Sequence, residues 1–270
     1  MAVPCIQVSA AILANEGIAE GISRMSLAAP ELAQAAHAGH FVNVFIPGGG
    51  DWLWRRPFSV HAVDRSAGSI ELLFNTAGRA SQALSRMRPG VNLEVLGLLG
   101  NTFSLAPDQQ EIIIVAGGLG IAPFRLLLQD LIDRPIRKTV FFGAASAARL
   151  CCLKEMSTLG ADLHVCTEDG SRGEKGLVTL ALERYLQDLS ASGRQLFVCG
   201  PTAMMQQVQR LAKQYGFSGQ VTVENRMACG FGACMGCPVE MRTTPPEEKR
   251  YSLACKDGPV FSLDEIIIHD

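Results

Sequence analysis

Apolar and polar positions alternate in short runs through the first hundred residues: IQVSAAILA, HFVNVFIP, PFSVHAVD, SIELLFN and NLEVLGLL. Successive side chains of a strand point to opposite faces, so each run reads as a β-strand. Gly, Pro, Asn or Asp punctuates the gaps between them. Strands this short and this evenly spaced predict a small antiparallel β-barrel over residues 1–106. One helix is expected in this half, ASQALSRM, where Ala83, Leu84 and Met87 recur at helical spacing.

After Pro107 the texture changes. EIIIVAGG is a continuous apolar run followed by APFRLLLQDLID, a helical pattern. KTVFFGAA, ADLHVCTE and RQLFVCGP repeat the theme, with VTLALERYLQDL and TAMMQQVQRLAKQY as intervening helices. Strands alternating with helices predict an α/β domain, residues 107–225, built on a parallel sheet with both faces covered. Ligands of such sheets lie beyond the carboxyl ends of the strands. In the remaining segment, 226–270, the pattern changes again, to MACGFGACMGCPVEM from Met227. The segment is near the size at which a domain needs a metal, a disulfide or a partner. TTPPEEKR (243–250) reads as a polar surface turn.

Composition narrows the class. Of 270 residues, 48% are hydrophobic and 19% charged, which fills a core and argues against disorder. A net charge of -2 gives no electrostatic reason to expect nucleic acid. No run approaches the roughly 18–20 apolar residues of a membrane span. MAVPCIQVSAAILANEGIAEG lacks the basic start and apolar stretch of a secretory signal, so a cytoplasmic protein is expected. Nine cysteines in such a compartment point to a metal site rather than disulfides. Cys5, Cys151, Cys152 and Cys166 carry no motif and read as small packing residues.

Cys229-x4-Cys234-x2-Cys237, with Cys255 after seventeen further residues, has the plant-type spacing of a [2Fe–2S] cluster. Four thiolates suit two irons, and a tight loop can aim its N–H groups at the sulfurs. Gly230, Gly232 and Gly236 permit such a loop. The alternative is a structural zinc, whose cysteines usually come as two short pairs. Here three crowd into nine residues and the fourth stands alone.

Weaker signals precede the cysteines. In Arg56-Pro57-Phe58-Ser59, Arg56 can pair with a pyrophosphate, Pro57 stiffens the chain and Ser59 can bond a flavin ring. The bland reading is a strand with a surface arginine. Gly78-Arg79-Ala80-Ser81 follows a strand and opens a helix, whose unpaired N–H groups can take phosphate; otherwise it is a capped helix start. Gly117-Gly118-Leu119-Gly120-Ile121-Ala122-Pro123 lets a ligand approach the backbone, although it is not the GxGxxG fingerprint. Cys199-Gly200-Pro201 lies at the corresponding edge. Its sulfur can meet a nicotinamide, or the three residues simply turn strand into helix.

In this order the motifs resemble the ferredoxin–NADP reductase superfamily and, within it, the electron-transfer subunits of type B dihydroorotate dehydrogenases. The resemblance covers nearly the whole chain: RPFS, LLFNTAGRAS, GLLGNTF, AGGLGIAP, TEDGS, CGPTAMM, MACGFGACMGCPV and CKDGPVF. It implies FAD contacts from Arg56 to Ser59, from Leu73, Phe74 and Asn75, and from Ala80 with Ser81. It implies that Cys229, Cys234, Cys237 and Cys255 hold the cluster. It also implies an oxidoreductase of pyrimidine biosynthesis that takes hydride from NADH at FAD. Electrons would then pass through the cluster to the FMN-containing catalytic dihydroorotate dehydrogenase subunit of a hetero-oligomer. Two departures stand out: the family's Gly-x-Gly-Thr turn appears as Gly78-Arg79-Ala80-Ser81, and its TDDGS as Thr167 to Ser171 with Glu168. Arg79 offers a further phosphate contact.

Trp52 and Trp54 are expected to pack on a strand surface. The five histidines show no ligand spacing. Two other functions fit the same chemistry: a self-sufficient NAD(P)H reductase for an oxygenase, hydrogenase or ferredoxin, and a non-enzymatic redox sensor. A sensor has no need of both flavin and nucleotide motifs. The sequence does not separate NADH from NADPH, although Ser146 and Arg149 follow the second sheet strand, where a 2′-phosphate could sit.

Overall fold

A computed structural model describes residues 5–47, 54–243 and 250–269. Trp52 and most of the TTPPEEKR turn lie outside the described residues.

Six antiparallel strands close the barrel: β1 (Ile6–Ala19), β2 (Ile22–Ala28), β3 (Phe41–Phe45), β4 (Arg56–Asp64), β5 (Ser69–Asn75) and β6 (Asn92–Leu99). Their order is β1-β2-β5-β4-β3-β6, and β6 pairs back onto β1. β6 shows the alternation plainly, with Leu93 and Val95 buried between exposed Asn92 and Glu94. The strand ISRMSLA, β2, is not evident from the pattern. The register between β1 and β2 shifts at Ile12/Ala14 and again at Gly17/Ala19. The buried apolar positions of β2, Ile22, Met25 and Leu27, do not keep the period of two on which strand recognition rests. Two helices rather than one accompany the barrel, α1 (Pro30–Ala35) and α2 (Arg79–Ser85). The first is six residues long and buries only Leu32 and Ala33, too short a stripe to read. Trp54 is exposed instead of packed on a strand.

The second half is a seven-stranded sheet. β7 (Glu111–Gly117), β8 (Arg137–Ala144), β9 (Ala161–Thr167), β10 (Glu174–Lys175), β11 (Arg194–Cys199) and β12 (Ser218–Thr222) are parallel, in the order β10-β9-β8-β7-β11-β12. Around them lie α3 (Phe124–Asp130), α4 (Leu153–Thr158), α5 (Val178–Gln187) and α6 (Thr202–Tyr215). β7 is central and buried throughout, so its two faces feed two cores. Ile112 and Ile114 pack with Phe124, Phe142 and the barrel interior. Ile113 and Val115 pack with Leu182, Val208 and Leu211 from α5 and α6. Each such isoleucine contributes about 2–3 kcal/mol by leaving water. This sharing of one core between barrel and sheet fixes the crevice between them.

The last segment forms a hairpin, β13 (Pro238–Met241) with β14 (Arg250–Leu253), and a final strand, β15 (Val260–Ser262). β15 pairs antiparallel with β12 and so becomes the edge of the nucleotide-domain sheet. Cys237, Cys255 and Phe261 are buried in the second core.

Candidate active site

A cavity of about 370 Å³ opens where the barrel strands β4 and β5 face the carboxyl ends of β11 and β12. Arg56, Pro57, Phe58 and Ser59 line it from β4, and Leu73, Phe74 and Asn75 from β5. Gly78, Ala80 and Ser81 line it from the turn into α2, and Cys199 faces them from the sheet. The rings of Phe58 and Phe74 lie 5.4 Å apart and give the cavity an apolar wall. Arg56 Nη1 donates to the carbonyl of Trp54 at 3.0 Å and pairs with no carboxylate among the described residues. Its charge is therefore available to an anion. Ser81 Oγ donates to the carbonyl of Gly78 at 3.0 Å and accepts from its N–H at 3.2 Å, which closes the turn. An aromatic wall, a cation at one end and a helix-opening turn fit a flavin dinucleotide.

Sequence reasoning missed the other side of this cavity, formed by Thr222, Val223, Glu224, Asn225 and Met227 after β12. Glu224 also lines a neighbouring cavity of about 630 Å³. Its side chain still meets solvent in that passage, yet the surrounding protein pushes its carboxyl above the ordinary range. Burial likewise pushes the Cys199 thiol up, with the Glu224 charge adding to it. β12 begins Ser218-Gly219, a poor strand signal, and that hid these residues.

A further cavity, about 640 Å³, lies beyond β7 and β8 and is lined by Gly117, Gly118, Gly143, Arg149 and Glu168. Gly120 and Gly200 do not line either cavity. They serve close packing: a Cβ on Gly120 would overlap the Cys199 carbonyl, and one on Gly200 would meet the backbone of Gly117. The two loops thus fit together through their missing side chains.

The four cysteines of the tail come together in two pairs. The Cys234 N–H donates to Cys229 Sγ at 3.4 Å. Burial works against the Cys229 thiolate, but N–H groups of Phe231, Cys234 and Ala233 bring the thiol down to about 6. Burial pushes Cys255 up to about 12, helped by its hydrogen bond with Cys237 and that group's charge. Sulfurs crowded in this way call for a cation to offset their charge. Among the described residues no three acid, His or Cys side chains converge on one point as a single metal ion requires. The donor set of four thiols suits an iron–sulfur cluster, which Cys229, Cys234, Cys237 and Cys255 would hold.

The Cys255 turn is held from the barrel side by Asn101, just after β6. Asn101 Nδ2 donates to the carbonyls of Asp257 (3.0 Å) and Val260 (2.8 Å), and its Oδ1 accepts from Val260 N–H at 2.9 Å. Asn101 sits within the GLLGNTF motif, whose role in the sequence was open.

The unassigned cysteines divide. Cys5 is exposed, which corrects its reading as a packing residue. Cys151, Cys152 and Cys166 are buried. His61 Nδ1 lies 2.7 Å from the carbonyl of Ala122, which only accepts, so Nδ1 carries the proton and Nε2 faces Cys152 Sγ at 3.6 Å. The Cys151 hydrogen bond, with His61 assisting, draws the Cys152 thiol down to about 5.

Comparison with known proteins agrees with this arrangement. The sequence model of the oxidoreductase NAD-binding domain matches residues 114–210, and that of the iron-sulfur cluster binding domain of dihydroorotate dehydrogenase B matches 224–267. Fold and site together define an iron–sulfur oxidoreductase of the nicotinamide-dependent reductase class. The electron transfer subunit of dihydroorotate dehydrogenase B (NAD(+)) from Desulforamulus reducens is 33% identical over 96% of this chain and 97% of that one. Its counterpart from Geobacillus kaustophilus is 31% identical over 93% and 95%. The chain belongs to the family of electron-transfer subunits of dihydroorotate dehydrogenase B. It is also similar to the solved structure of an NADH-dependent reduced ferredoxin–NADP oxidoreductase, with TM-score 0.84, 25% identity, and 97% and 90% of the two chains covered. Among the described residues no helix is long and apolar enough to cross a membrane.

Proposed function

We propose that this chain takes hydride from NADH and delivers single electrons to the FMN of a catalytic dihydroorotate dehydrogenase subunit, within a cytoplasmic hetero-oligomer. One observation carries the reading. A single cavity gathers Arg56 to Ser59, Leu73 to Asn75, Gly78, Ala80 and Ser81 opposite Cys199, and its Met227 stands two residues before Cys229. FAD in that cavity would supply the exchange between two-electron hydride and one-electron transfer. Arg56 offsets pyrophosphate charge, Ser59 offers its hydroxyl to the ring, and the apolar wall of Phe58 and Phe74 excludes water. Gly117 and Gly118 let the nicotinamide nucleotide lie against the backbone, with Cys199 at the nicotinamide end. Cys229, Cys234, Cys237 and Cys255 hold the [2Fe–2S] cluster. On this reading the functional units are 1–106 for flavin, 107–225 for the nucleotide and 226–270 for the cluster.

The cluster loop also supports a protein acceptor. Phe231 and Met235 beside exposed Cys234 are 52% and 66% exposed, an apolar edge suited to a partner surface. The similarity to an NADH-dependent ferredoxin–NADP oxidoreductase favours a second reading in which the acceptor is a ferredoxin. Anaerobic purification tests both. The expected protein is brown, retains FAD, holds about two irons and two sulfides per chain, and co-purifies with an FMN-containing subunit. With NADH it should reduce that subunit, and Cys234→Ser should stop this while leaving NADH-driven flavin reduction intact. Full transfer by Cys234→Ser would remove the cluster from the route, and transfer to ferredoxin alone would favour the second reading.

A further inference from the structure

Asn43 is an anomaly in the barrel. It sits mid-strand in β3 between fully buried Val42 and Val44 and is itself only 1% exposed. Asparagine is disfavoured in strands, and a buried amide costs free energy wherever a polar atom goes unpaired. Its Oδ1 is indeed buried without a partner among the described residues. A residue that breaks local rules this way marks a functional requirement.

Its Nδ2 shows what the requirement is. It donates to the carbonyl of Cys229 at 3.0 Å, across 186 residues of sequence. The loop after Cys229 turns the N–H groups of Phe231, Ala233 and Cys234 toward the Cys229 sulfur. A loop that aims consecutive N–H groups inward must turn carbonyls outward. The outward Cys229 carbonyl faces the barrel, and Asn43 is its donor. Gly230 completes the contact: it has φ +78, and a Cβ there would collide with the Asn43 amide. The loop therefore lies flat on β3. In the ladder between β3 and β4, Asn43 stands opposite Pro57 and Phe41 opposite Ser59, residues that line the proposed flavin cavity.

We infer that Asn43 is a positioning residue that clamps the Cys229 end of the cluster loop onto the strand beside the flavin site, and thereby sets the rate of electron passage between the two centres. The inference rests on the proposed function. FAD in the cavity would supply single electrons to a cluster held by the four cysteines, and Asn43 itself would exchange no bond or proton. Its part is to hold one ligand, and the chain between, at a fixed spacing.

The test uses the anaerobic holoprotein with Asn43→Ala and with Asn43→Asp, which keeps the shape of the side chain but loses the donor. In rapid mixing with NADH, flavin reduction should proceed at the wild-type rate in both variants. Reduction of the cluster should slow in both variants relative to the wild type. The electron paramagnetic resonance spectrum of the reduced cluster should also shift, or iron should be lost while FAD stays bound. Wild-type transfer rates and spectra in both variants would overturn the inference. So would joint loss of FAD and iron in both, which would assign Asn43 to barrel packing alone. A wild-type protein without iron would instead overturn the proposed function, and that outcome is read before any variant is compared.

Discussion

Gly120 lies so close to the carbonyl of Cys199 that a methyl group between them would overlap the backbone. Neither partner can swing aside, because both are main chain. Gly120→Ala should therefore force the GGLGIAP and CGP loops apart, at a cost of about 1–3 kcal/mol. The expected results are a melting temperature lower by about 5 °C and slower NADH-driven flavin reduction. Gly17→Ala is the control, since nothing lies within 4 Å of the added methyl. Equal behaviour of the two variants would show that the loops tolerate separation.

Arg56→Ala should weaken FAD binding. A charge-assisted phosphate contact is worth about 1.5–3 kcal/mol, or roughly tenfold to a hundredfold in the dissociation constant. Arg55→Ala should change it little, because Arg55 is engaged with Gln7 and Glu94 on neighbouring strands. Titration of deflavinated protein with FAD measures both, and unchanged affinity in Arg56→Ala would reduce RPFS to a plain strand.

Cys237→Ser should abolish cluster incorporation, read as iron and sulfide per chain. Cys151→Ser should leave both unchanged, because Cys151 is buried beside Cys152 and α4, apart from the tail. Full iron content in Cys237→Ser would mean that another residue completes the ligand set.

Glu111 offers a test at the level of folding. Burial alone would raise its carboxyl, but hydrogen bonds from Thr139 (2.6 Å), Tyr185 (2.7 Å) and Arg194 (2.9 Å) outweigh it and hold the group below the usual range. A folded-state pKa below the unfolded one stabilises the protein above the unfolded value, about 4.3, and that contribution fades as pH falls through the folded value. Glu111→Gln should therefore lose about 3 kcal/mol at pH 7, as when one partner leaves a buried ion pair. The difference between the two proteins should shrink below pH ~4. Urea unfolding at both pH values measures this, and a constant difference would refute the assignment.

What the sequence discloses depends on how local the cause is. β7 is legible because EIIIVAG is apolar on both faces, and the cysteines are legible because three of them share one loop. The RPFS strand start and the GRAS turn carry their own backbone signals. β2 was hidden because its buried apolar positions, Ile22, Met25 and Leu27, do not keep a period of two. Asn43, Asn101 and Glu224 were hidden for another reason. Asn43 and Asn101 bond to partners more than a hundred residues away, and Glu224 faces barrel residues across a cavity. No pattern within a window of a few turns records such contacts.

β15 belongs to the nucleotide-domain sheet although its residues follow the last cysteine. Many electron carriers work as a swinging arm, moving a tethered head from donor to acceptor. Here such an excursion would strip β15 from β12, break the bond from Val223 N–H to the Pro259 carbonyl (3.0 Å), and release Asn101 from three hydrogen bonds at once. The cluster is thus a stationary wire, and any acceptor must come to it.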